Sequence, residues 1–273
     1  MGFLIKNLSC GYERAILKNI DMEYRKDMWH FIVGTTGTGK STFLQTLSKL
    51  REPLGGEVFY LGESLNKKEG LKKFRDDSGI MFQYTDKQFF NHTIREEILF
   101  NLKKREKNKD KREIKLKEIM QFLNLSENIL ERSPFELSGG QKRMVALASI
   151  IITDPSILIL DEPTVGLDIE SKELFFSVIK KLRERGVTVF QISHFMEDVI
   201  QYGDSVTILS DGEIRYYPKT DILLDEVTLE KAGLEPPEIV SITKIFRKWG
   251  YKKNPSNVME LIQGIREDKH GKI

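Results

Sequence analysis

The segment "GTTGTGKST", residues 34–42, has the composition of a phosphate-binding loop. It fits the pattern G-x-x-x-x-G-K-[ST], whose glycines let successive backbone N–H groups converge on phosphate oxygens. In this pattern the lysine neutralises the β- and γ-phosphates, and the next residue coordinates Mg²⁺. A chance glycine-rich turn is disfavoured because an apolar run precedes the loop and an amphipathic helix pattern follows it. The predicted ATP-binding residues here are Gly34, Thr35, Thr36, Gly37, Thr38, Gly39, Lys40, Ser41 and Thr42, and Ser41 is also a predicted Mg²⁺ ligand.

Two acidic residues, Asp161 and Glu162, directly follow the apolar run "ILIL" at 157–160. An α/β sheet presents its ligand-binding carboxylates at the ends of such buried strands. We expect Asp161 to bind Mg²⁺ and Glu162 to polarise the water that attacks ATP. An isolated Asp-Glu pair at a strand end is more often a helix cap, but a phosphate-binding loop in the same chain favours the catalytic interpretation.

Gln83 and His194 also follow strand-like runs, in "GIMFQ" and "QISH". A neutral imidazole at His194 could hydrogen-bond near the γ-phosphate and sense its departure. The flexible amide of Gln83 could reach both the metal and a molecule docked outside. We therefore predict that both residues are catalytic and that Gln83 is a metal ligand, although a single strand-end histidine or glutamine is usually structural.

The segment "LSGGQ", residues 137–141, is a second candidate anion cradle, with an N-cap serine and two glycines before a helix-forming run. It lies at the start of a helix in a helical insert, away from the sheet edge that carries Lys40, and is not expected to reach the same nucleotide within one molecule. A second copy of the chain could deliver it, so that ATP is enclosed between two subunits and hydrolysis is switched by dimerisation. The residues predicted to complete the site in this way are Ser138, Gly139, Gly140 and Gln141.

The elements that must position these residues alternate between strands and helices. Residues 3–33 have the pattern of three strands, and residues 41–50 have helical spacing directly after the phosphate-binding loop. Strand-like runs at 157–160 and 187–193 flank a helical pattern, which implies a parallel sheet with right-handed crossovers. A hairpin is predicted to turn at Asp211-Gly212. The fold class is therefore α/β, a P-loop NTPase with a mixed sheet and an antiparallel β subdomain.

The domain organisation is expected to be one ATPase domain followed by a tail. We predict the ATPase domain over residues 1–218, with a helical subdomain at about 88–153, and a small tail domain at 219–273 that is a candidate dimerisation segment. Inside the helical region, residues 103–117 contain nine basic and three acidic side chains. A solvated helix or loop is the favoured interpretation of that run, and contact with anionic lipid headgroups or RNA is the less favoured one.

Composition narrows the class of function. The 273 residues suffice for one α/β domain with a tail or for two compact domains. The chain has 43 Lys and Arg against 41 Asp and Glu, a balance unlike a surface built throughout to hold nucleic acid. The single cysteine, Cys10, excludes an internal disulfide and fits a reducing cytosol. No targeting peptide and no apolar run of membrane-spanning length is visible, so we expect no membrane span.

Taken together, "GTTGTGKST", Gln83, "LSGGQ", "ILILDEPT", "GLD" at 166–168 and "ISH" resemble the ATP-binding subunits of ABC transporters over about residues 3–216. The resemblance implies a fold of ABC type and an Mg²⁺-dependent ATPase that works as a dimer. It also implies that Tyr12 stacks on adenine and that Asp168 belongs to the nucleotide site.

Within that family, the segment around Gln83, "LSGGQKRMVALA" and the tail "AGLEPPEIVSITKIFRKWG" look like the ATPases of energy-coupling factor (ECF) transporters, which take up vitamins and transition metal ions. This implies a peripheral location at the cytoplasmic face of the cell membrane. The implied partners are a second ATPase subunit, in a homodimer or a heterodimer, a transmembrane coupling protein and a substrate-binding membrane component, with no nucleic acid. A groove lined by Tyr84, Phe89 and Phe90 would receive helices of the coupling protein, although one or two of these side chains could instead belong to the core. Asp27 departs from the family, which usually has a glycine turn there.

Two other functions stay open at this point. A soluble ATPase of the same superfamily that acts on DNA or ribosomes would carry a very long coiled coil or a second ATPase domain, and neither is visible in the sequence. A P-loop kinase is the weaker alternative because it leaves "LSGGQ" without a role.

Overall fold

The computed structural model describes residues 2–220, 222, 225–253, 255 and 257–270, which form two β-sheets and ten α-helices. The strands are β1 (Phe3–Gly11), β2 (Ala15–Tyr24), β3 (Trp29–Gly34), β4 (Gly55–Tyr60), β5 (Glu63–Ser64), β6 (Ser78–Met81), β7 (Ile157–Asp161), β8 (Thr188–Ile192), β9 (Ser205–Ser210) and β10 (Glu213–Tyr217). The helices are α1 (Lys40–Leu47), α2 (Lys68–Asp77), α3 (Ile94–Arg105), α4 (Lys109–Phe122), α5 (Gly139–Ile151), α6 (Ile169–Glu184), α7 (Met196–Tyr202), α8 (Glu226–Lys231), α9 (Glu238–Arg247) and α10 (Val258–His270).

The larger sheet carries the site and has the strand order β10-β9-β3-β8-β7-β6. The strands from β9 to β6 are parallel, and β10 pairs with β9 as an antiparallel edge strand. Every residue of β3 and β8 is buried, as expected for strands covered on both faces. The predicted parallel sheet is confirmed. The hairpin at Asp211–Gly212 is also confirmed, and φ values of 50° and 78° at its two residues match the type I′ turn that such hairpins prefer.

The smaller sheet is the predicted antiparallel layer, with the order β2-β1-β4-β5. It packs on the larger sheet through aromatic side chains, among them Phe3, whose ring lies edge-on to Phe190 with 5.0 Å between centroids. Asp27, in the turn between β2 and β3, has a φ of 61°. It thus adopts the left-handed conformation that a glycine reaches more easily, so the turn is kept without the glycine.

Helices α3, α4 and α5 fall within the predicted helical region. Their buried residues Leu99, Met120 and Leu147 share one apolar cluster with Leu158 of β7, so these helices pack on the sheet rather than apart from it. The limits of the helical subdomain stay a prediction.

The tail region is divided between two apolar clusters. Leu229 of α8 packs into the main core, whereas Ile239 of α9 and Leu261 of α10 belong to a small separate cluster. The boundary at residue 219 and a role of the tail in dimerisation stay predictions. Among the described residues, no helix combines the length and the apolar character that a membrane span needs.

Candidate functional site

The phosphate-binding loop joins the carboxyl end of β3 to the first turn of α1. Gly37 and Gly39 have φ values of 86° and 96°, a region that side chains with a Cβ rarely adopt. The hydroxyl of Thr38 donates a hydrogen bond of 2.9 Å to the carbonyl oxygen of Thr35 and closes the turn. The predicted order of strand, glycine loop and helix is therefore present, and α1 directs its N-terminal N–H groups into the loop.

Lys40 is buried inside this loop. Its ammonium group donates hydrogen bonds of 2.9 Å to the carbonyl oxygens of Gly34 and Thr35. Burial lowers the pKa of Lys40, while the nearby carboxylates of Glu162 and Asp161 oppose that shift. The loop thus holds a positive charge at the position where phosphate oxygens would replace the two carbonyl groups.

Ser41 and Asp161 meet at the end of β7, where the hydroxyl of Ser41 donates a 3.3 Å hydrogen bond to Oδ1 of Asp161. Burial raises the pKa of Asp161, and the hydrogen bond from Ser41 acts in the opposite direction. A hydroxyl and a carboxylate are hard oxygen donors, which suit Mg²⁺. Within the described ranges there is no cluster of three or more His, Cys, Asp or Glu side chains that could hold a metal. Two protein donors beside a phosphate-binding loop nevertheless fit Mg²⁺, since this ion usually keeps several waters and binds substrate phosphates.

Glu162 is held between two side chains that follow the strands β6 and β8. Nε2 of Gln83 donates to its Oε2 at 2.7 Å, and Nε2 of His194 donates to its Oε1 at 2.6 Å. The backbone of Glu162 has a φ of 48°, a strained conformation for a residue with a side chain. The three residues predicted as catalytic therefore meet, because Gln83 and His194 both contact the carboxylate of Glu162, beside the Ser41–Asp161 pair. A carboxylate held in this way can orient a water molecule and accept its proton.

The "LSGGQ" segment forms the N-terminus of α5, as predicted. The hydroxyl of Ser138 accepts from the backbone N–H of Gln141 at 3.3 Å, and the Gln141 side chain accepts from the Ser138 N–H at 3.2 Å. A Cβ at Gly139 would meet no atom within 4 Å, so this end of the helix faces open space. Among the described residues, no hydrogen bond joins these side chains to the phosphate-binding loop. Their assignment to the ATP of a second subunit stays a prediction.

Asp168 caps helix α6, whose start lies beside the "LSGGQ" segment. Its carboxylate accepts from the backbone N–H of Ser171 at 2.8 Å and from the Ser171 hydroxyl at 2.9 Å. The same N–H group lowers the pKa of Asp168. Gly140 lies close to this cap, because a Cβ there would be only 2.3 Å from the Ser171 hydroxyl oxygen. The start of α5 and the start of α6 are therefore in direct contact.

Tyr12, predicted to stack on adenine, lies in the turn between β1 and β2 and is 60% exposed. The guanidinium of Arg51 lies over its ring, 3.9 Å from the ring centroid. Sequence reasoning missed Arg51, because cation–π contacts between residues so far apart leave no local pattern.

Arg143 was also missed. It is a buried cation in α5 whose guanidinium donates to the carbonyl oxygen of Gln83 at 3.0 Å and to that of Val165 at 3.3 Å. Arg143 therefore connects α5 by hydrogen bonds to the segment that carries Gln83 and to the loop that follows Glu162. The available signal was a charged residue directly before the apolar helical run "MVALASII", residues 144–151.

The predicted groove beside Gln83 is present as a cavity of about 620 Å³. It reaches from Ser41 and Asp161 to the aromatic residues that follow β6. Phe90 is 62% exposed at this cavity, but Phe89 is only 6% exposed and belongs to the main apolar core. Phe89 thus belongs to the core and also lines the cavity, so the predicted lining and the core alternative both apply to it.

The amino-acid sequence is similar to those of known proteins. A family model described as ABC transporter matches residues 17–165, more than half of the chain. The energy-coupling factor transporter ATP-binding protein EcfA2 of Acetivibrio thermocellus is 39% identical over 235 residues, which cover 85% of this chain and 83% of that protein. The EcfA3 protein of Oenococcus oeni is 35% identical over an alignment that covers 95% of this chain and 92% of that protein.

Solved structures of ABC transporter ATP-binding proteins are also similar to this chain. The cbiO1 structure from Clostridium perfringens, part of the ABC transporter complex cbiONQ, has a TM-score of 0.75 and 25% identity, with 89% of this chain and 98% of that chain covered. A dimeric ATP-binding cassette, MJ0796, bound to ADP and Pi after hydrolysis, has a TM-score of 0.70 and 28% identity, with 79% and 98% covered.

Proposed function

Because this chain belongs to the ABC transporter family of ATP-binding proteins, we propose that it is the ATP-hydrolysing subunit of an ECF-type uptake transporter. The observation that carries the proposal is the meeting of Gln83 and His194 on Glu162, beside the Ser41–Asp161 pair at the phosphate-binding loop. The micronutrient, a vitamin or a transition metal ion, is recognised by the membrane partners.

The chemical step assigns a role to each of these side chains. Lys40 exchanges its two carbonyl partners for the β- and γ-phosphates of ATP. Ser41 and Asp161, together with the side-chain amide oxygen of Gln83, would hold Mg²⁺, which would neutralise phosphate charge when bound. Glu162 orients the attacking water and accepts its proton, and His194 fixes the Glu162 carboxylate through its hydrogen bond.

Each site is completed by two ATPase subunits, which are either identical or related. The open N-terminus of α5 at Ser138, Gly139 and Gly140 supplies N–H groups to the γ-phosphate bound by the other subunit. Because Gly140 contacts Ser171, a movement of the "LSGGQ" segment also moves the start of α6 in the same chain. Closing and opening of the dimer then act as the power stroke of transport.

The membrane partner docks in the groove beside Gln83. Tyr84 and Phe90 are both more than half exposed there, and an apolar surface of this kind suits a helix of a transmembrane coupling protein. Gln83 lies between the groove and Glu162, so docking and hydrolysis affect the same side chain. The proposal implies a peripheral location at the cytoplasmic face of the membrane and a substrate-binding component as a further partner.

The proposal is tested with proteoliposomes that contain the membrane proteins that co-purify with the chain in mild detergent. Glu162→Gln is expected to lower ATP hydrolysis by about 10²- to 10⁴-fold and to abolish ATP-dependent uptake, while ATP binding persists. Glu23→Gln, at an exposed glutamate of β2, is the matched control and keeps both activities. Undiminished hydrolysis by Glu162→Gln would refute the role of Glu162, and a complete absence of co-purifying membrane proteins would refute the transporter assignment.

A further inference from the structure

Residues 103–117, here called the basic segment, carry a positive charge that the rest of the chain does not share. They include nine basic and three acidic side chains, an excess of six positive charges, whereas the whole chain has a net charge of +2. The remainder of the protein is therefore net negative. The segment comprises the end of α3, a short turn and the first nine of the 14 residues of α4.

Two of the three acidic residues in the basic segment accept hydrogen bonds from groups other than its lysine side chains. Glu113 accepts a hydrogen bond of 2.5 Å from Arg95, which lies outside the segment. Glu106 accepts from the backbone N–H of Asn108 at 2.8 Å. These carboxylates therefore do little to neutralise the lysines nearby.

The two arginines of the basic segment give the turn a fixed shape. Arg112 donates to the carbonyl oxygen of Glu106 at 3.0 Å, and Arg105 donates to the carbonyl oxygen of Thr153 at 3.3 Å. The Asn108 side chain caps α4 by accepting from two backbone N–H groups, at 2.9 and 3.1 Å. The lysines thus project from an ordered turn.

Most lysines of the basic segment are exposed and are left to solvent. Lys115 pairs with Asp154, and Lys104 lies over the ring of Phe100. Across residues 2–220, which contain the whole segment, no carboxylate forms an ion pair with the other lysines, which are Lys103, Lys107, Lys109, Lys111 and Lys117.

The basic segment begins where the proposed docking groove ends. Phe100 of α3 lines the groove and contacts Phe90, with 4.5 Å between ring centroids. Lys103 and Lys104 follow Phe100 by three and four residues and therefore share its side of the helix. If the groove receives a membrane protein, the adjoining lysines face the same membrane, so this step rests on the proposed function.

We propose that the basic segment binds the anionic lipid headgroups of the membrane beside the transporter. Clusters of lysines near a membrane surface attract anionic lipids without any specific pocket. Ile114, which is 58% exposed on α4, adds an apolar side chain at the same surface. Single-stranded nucleic acid is the less suitable occupant, because the segment contains no aromatic residue on which bases could stack.

The test is co-sedimentation of the purified chain with vesicles of phosphatidylcholine alone or mixed with phosphatidylglycerol, with ATP hydrolysis measured in the same samples. The variant replaces Lys103, Lys107, Lys109 and Lys111 by Gln. The matched control makes the same number of Lys→Gln changes on the exposed surface around α2, at Lys67, Lys68, Lys72 and Lys73. Binding to the anionic vesicles is expected to fall about fivefold for each lysine removed from the basic segment, on the order of several hundred-fold in all.

The control variant is expected to bind like the wild type, and neither variant is expected to change ATP hydrolysis. Equal binding by the two variants would overturn the proposal, as would equal binding of the wild type to neutral and anionic vesicles. Displacement of the anionic vesicles by a single-stranded RNA at the same salt concentration would overturn it in favour of nucleic acid. Since hydrolysis is measured independently, lost lipid binding with intact ATPase activity leaves the proposed function standing.

Discussion

Acidification is expected to destabilise this protein through one buried side chain, His30. It lies on β3, the strand that leads into the phosphate-binding loop, and has no exposed surface. Its Nε2 is 2.6 Å from the carbonyl oxygen of Arg25, and its Nδ1 is 2.6 Å from the hydroxyl oxygen of Ser205. Because a carbonyl only accepts, Nε2 carries the proton of the neutral ring and Nδ1 accepts from Ser205. Protonation of Nδ1 would break that arrangement in an apolar site.

Burial lowers the pKa of His30 from 6.5 to about 4, although the Arg25 carbonyl and Asp204 act in the opposite direction. The folded state therefore binds this proton more weakly than the unfolded state does. The free energy of unfolding consequently rises with pH between about 4 and 6.5, and the contribution of His30 is complete above that range. The two pKa values differ by about 2.5, and one pKa unit corresponds to 1.36 kcal/mol. About 3 kcal/mol of stability is thus lost between neutral pH and about pH 4.

Urea unfolding measured at a series of pH values, with the fluorescence of the buried Trp29 as the signal, tests this value. His30→Gln is expected to be less stable than the wild type at neutral pH, and the difference is expected to shrink by about 2–3 kcal/mol towards pH 4.5. His92→Gln, at an exposed histidine, is the control and is expected to follow the wild type throughout. A difference between wild type and His30→Gln that stays constant with pH would show that His30 is not the titrating group.

Three further predictions concern the nucleotide site. Removal of Mg²⁺ with a chelator is expected to stop ATP hydrolysis, which added Mg²⁺ restores, and hydrolysis that persists in excess chelator would contradict the roles of Ser41 and Asp161. Tyr12→Ala is expected to raise the Kd for ATP by about 5- to 150-fold, equivalent to about 1–3 kcal/mol of stacking, whereas Tyr12→Phe keeps the wild-type Kd in a fluorescent-nucleotide titration. An unchanged Kd for Tyr12→Ala would mean that adenine lies elsewhere. Arg143→Lys is expected to lower ATPase activity roughly tenfold, because a lysine cannot reproduce the two-carbonyl contact that positions Gln83. Full activity of this variant would show that the contact is dispensable.

Much of the fold was predictable because its signals are local. The alternating and continuous apolar runs predicted β1, β2 and β3, and Asp211-Gly212 predicted the hairpin because few residue pairs adopt positive φ twice in succession. The strand order was not predictable. β3 pairs with β8 and β9, which follow it by more than 150 residues, and hydrogen bonds between such distant strands leave no trace in the periodicity of either one.

Burial of individual aromatic residues was equally beyond the local pattern. Phe89 and Phe90 are adjacent and identical in type, yet Phe89 is 6% exposed and part of the core, whereas Phe90 is 62% exposed at the groove. Arg51 and Arg143 were missed for the same reason, since each acts on a partner that only folding brings near.

Residue type and spacing by themselves determined the chemistry of this protein. A glycine loop with Lys40 and Ser41, and two carboxylates after an apolar strand, specify phosphate binding and hydrolysis because each group has few other uses in that pattern. Only the tertiary structure decided that Gln83 and His194 meet on Glu162, from positions 79 and 32 residues away. The physical reason is that local sequence sets the conformation of each element, whereas packing and hydrogen bonding between elements set their neighbours.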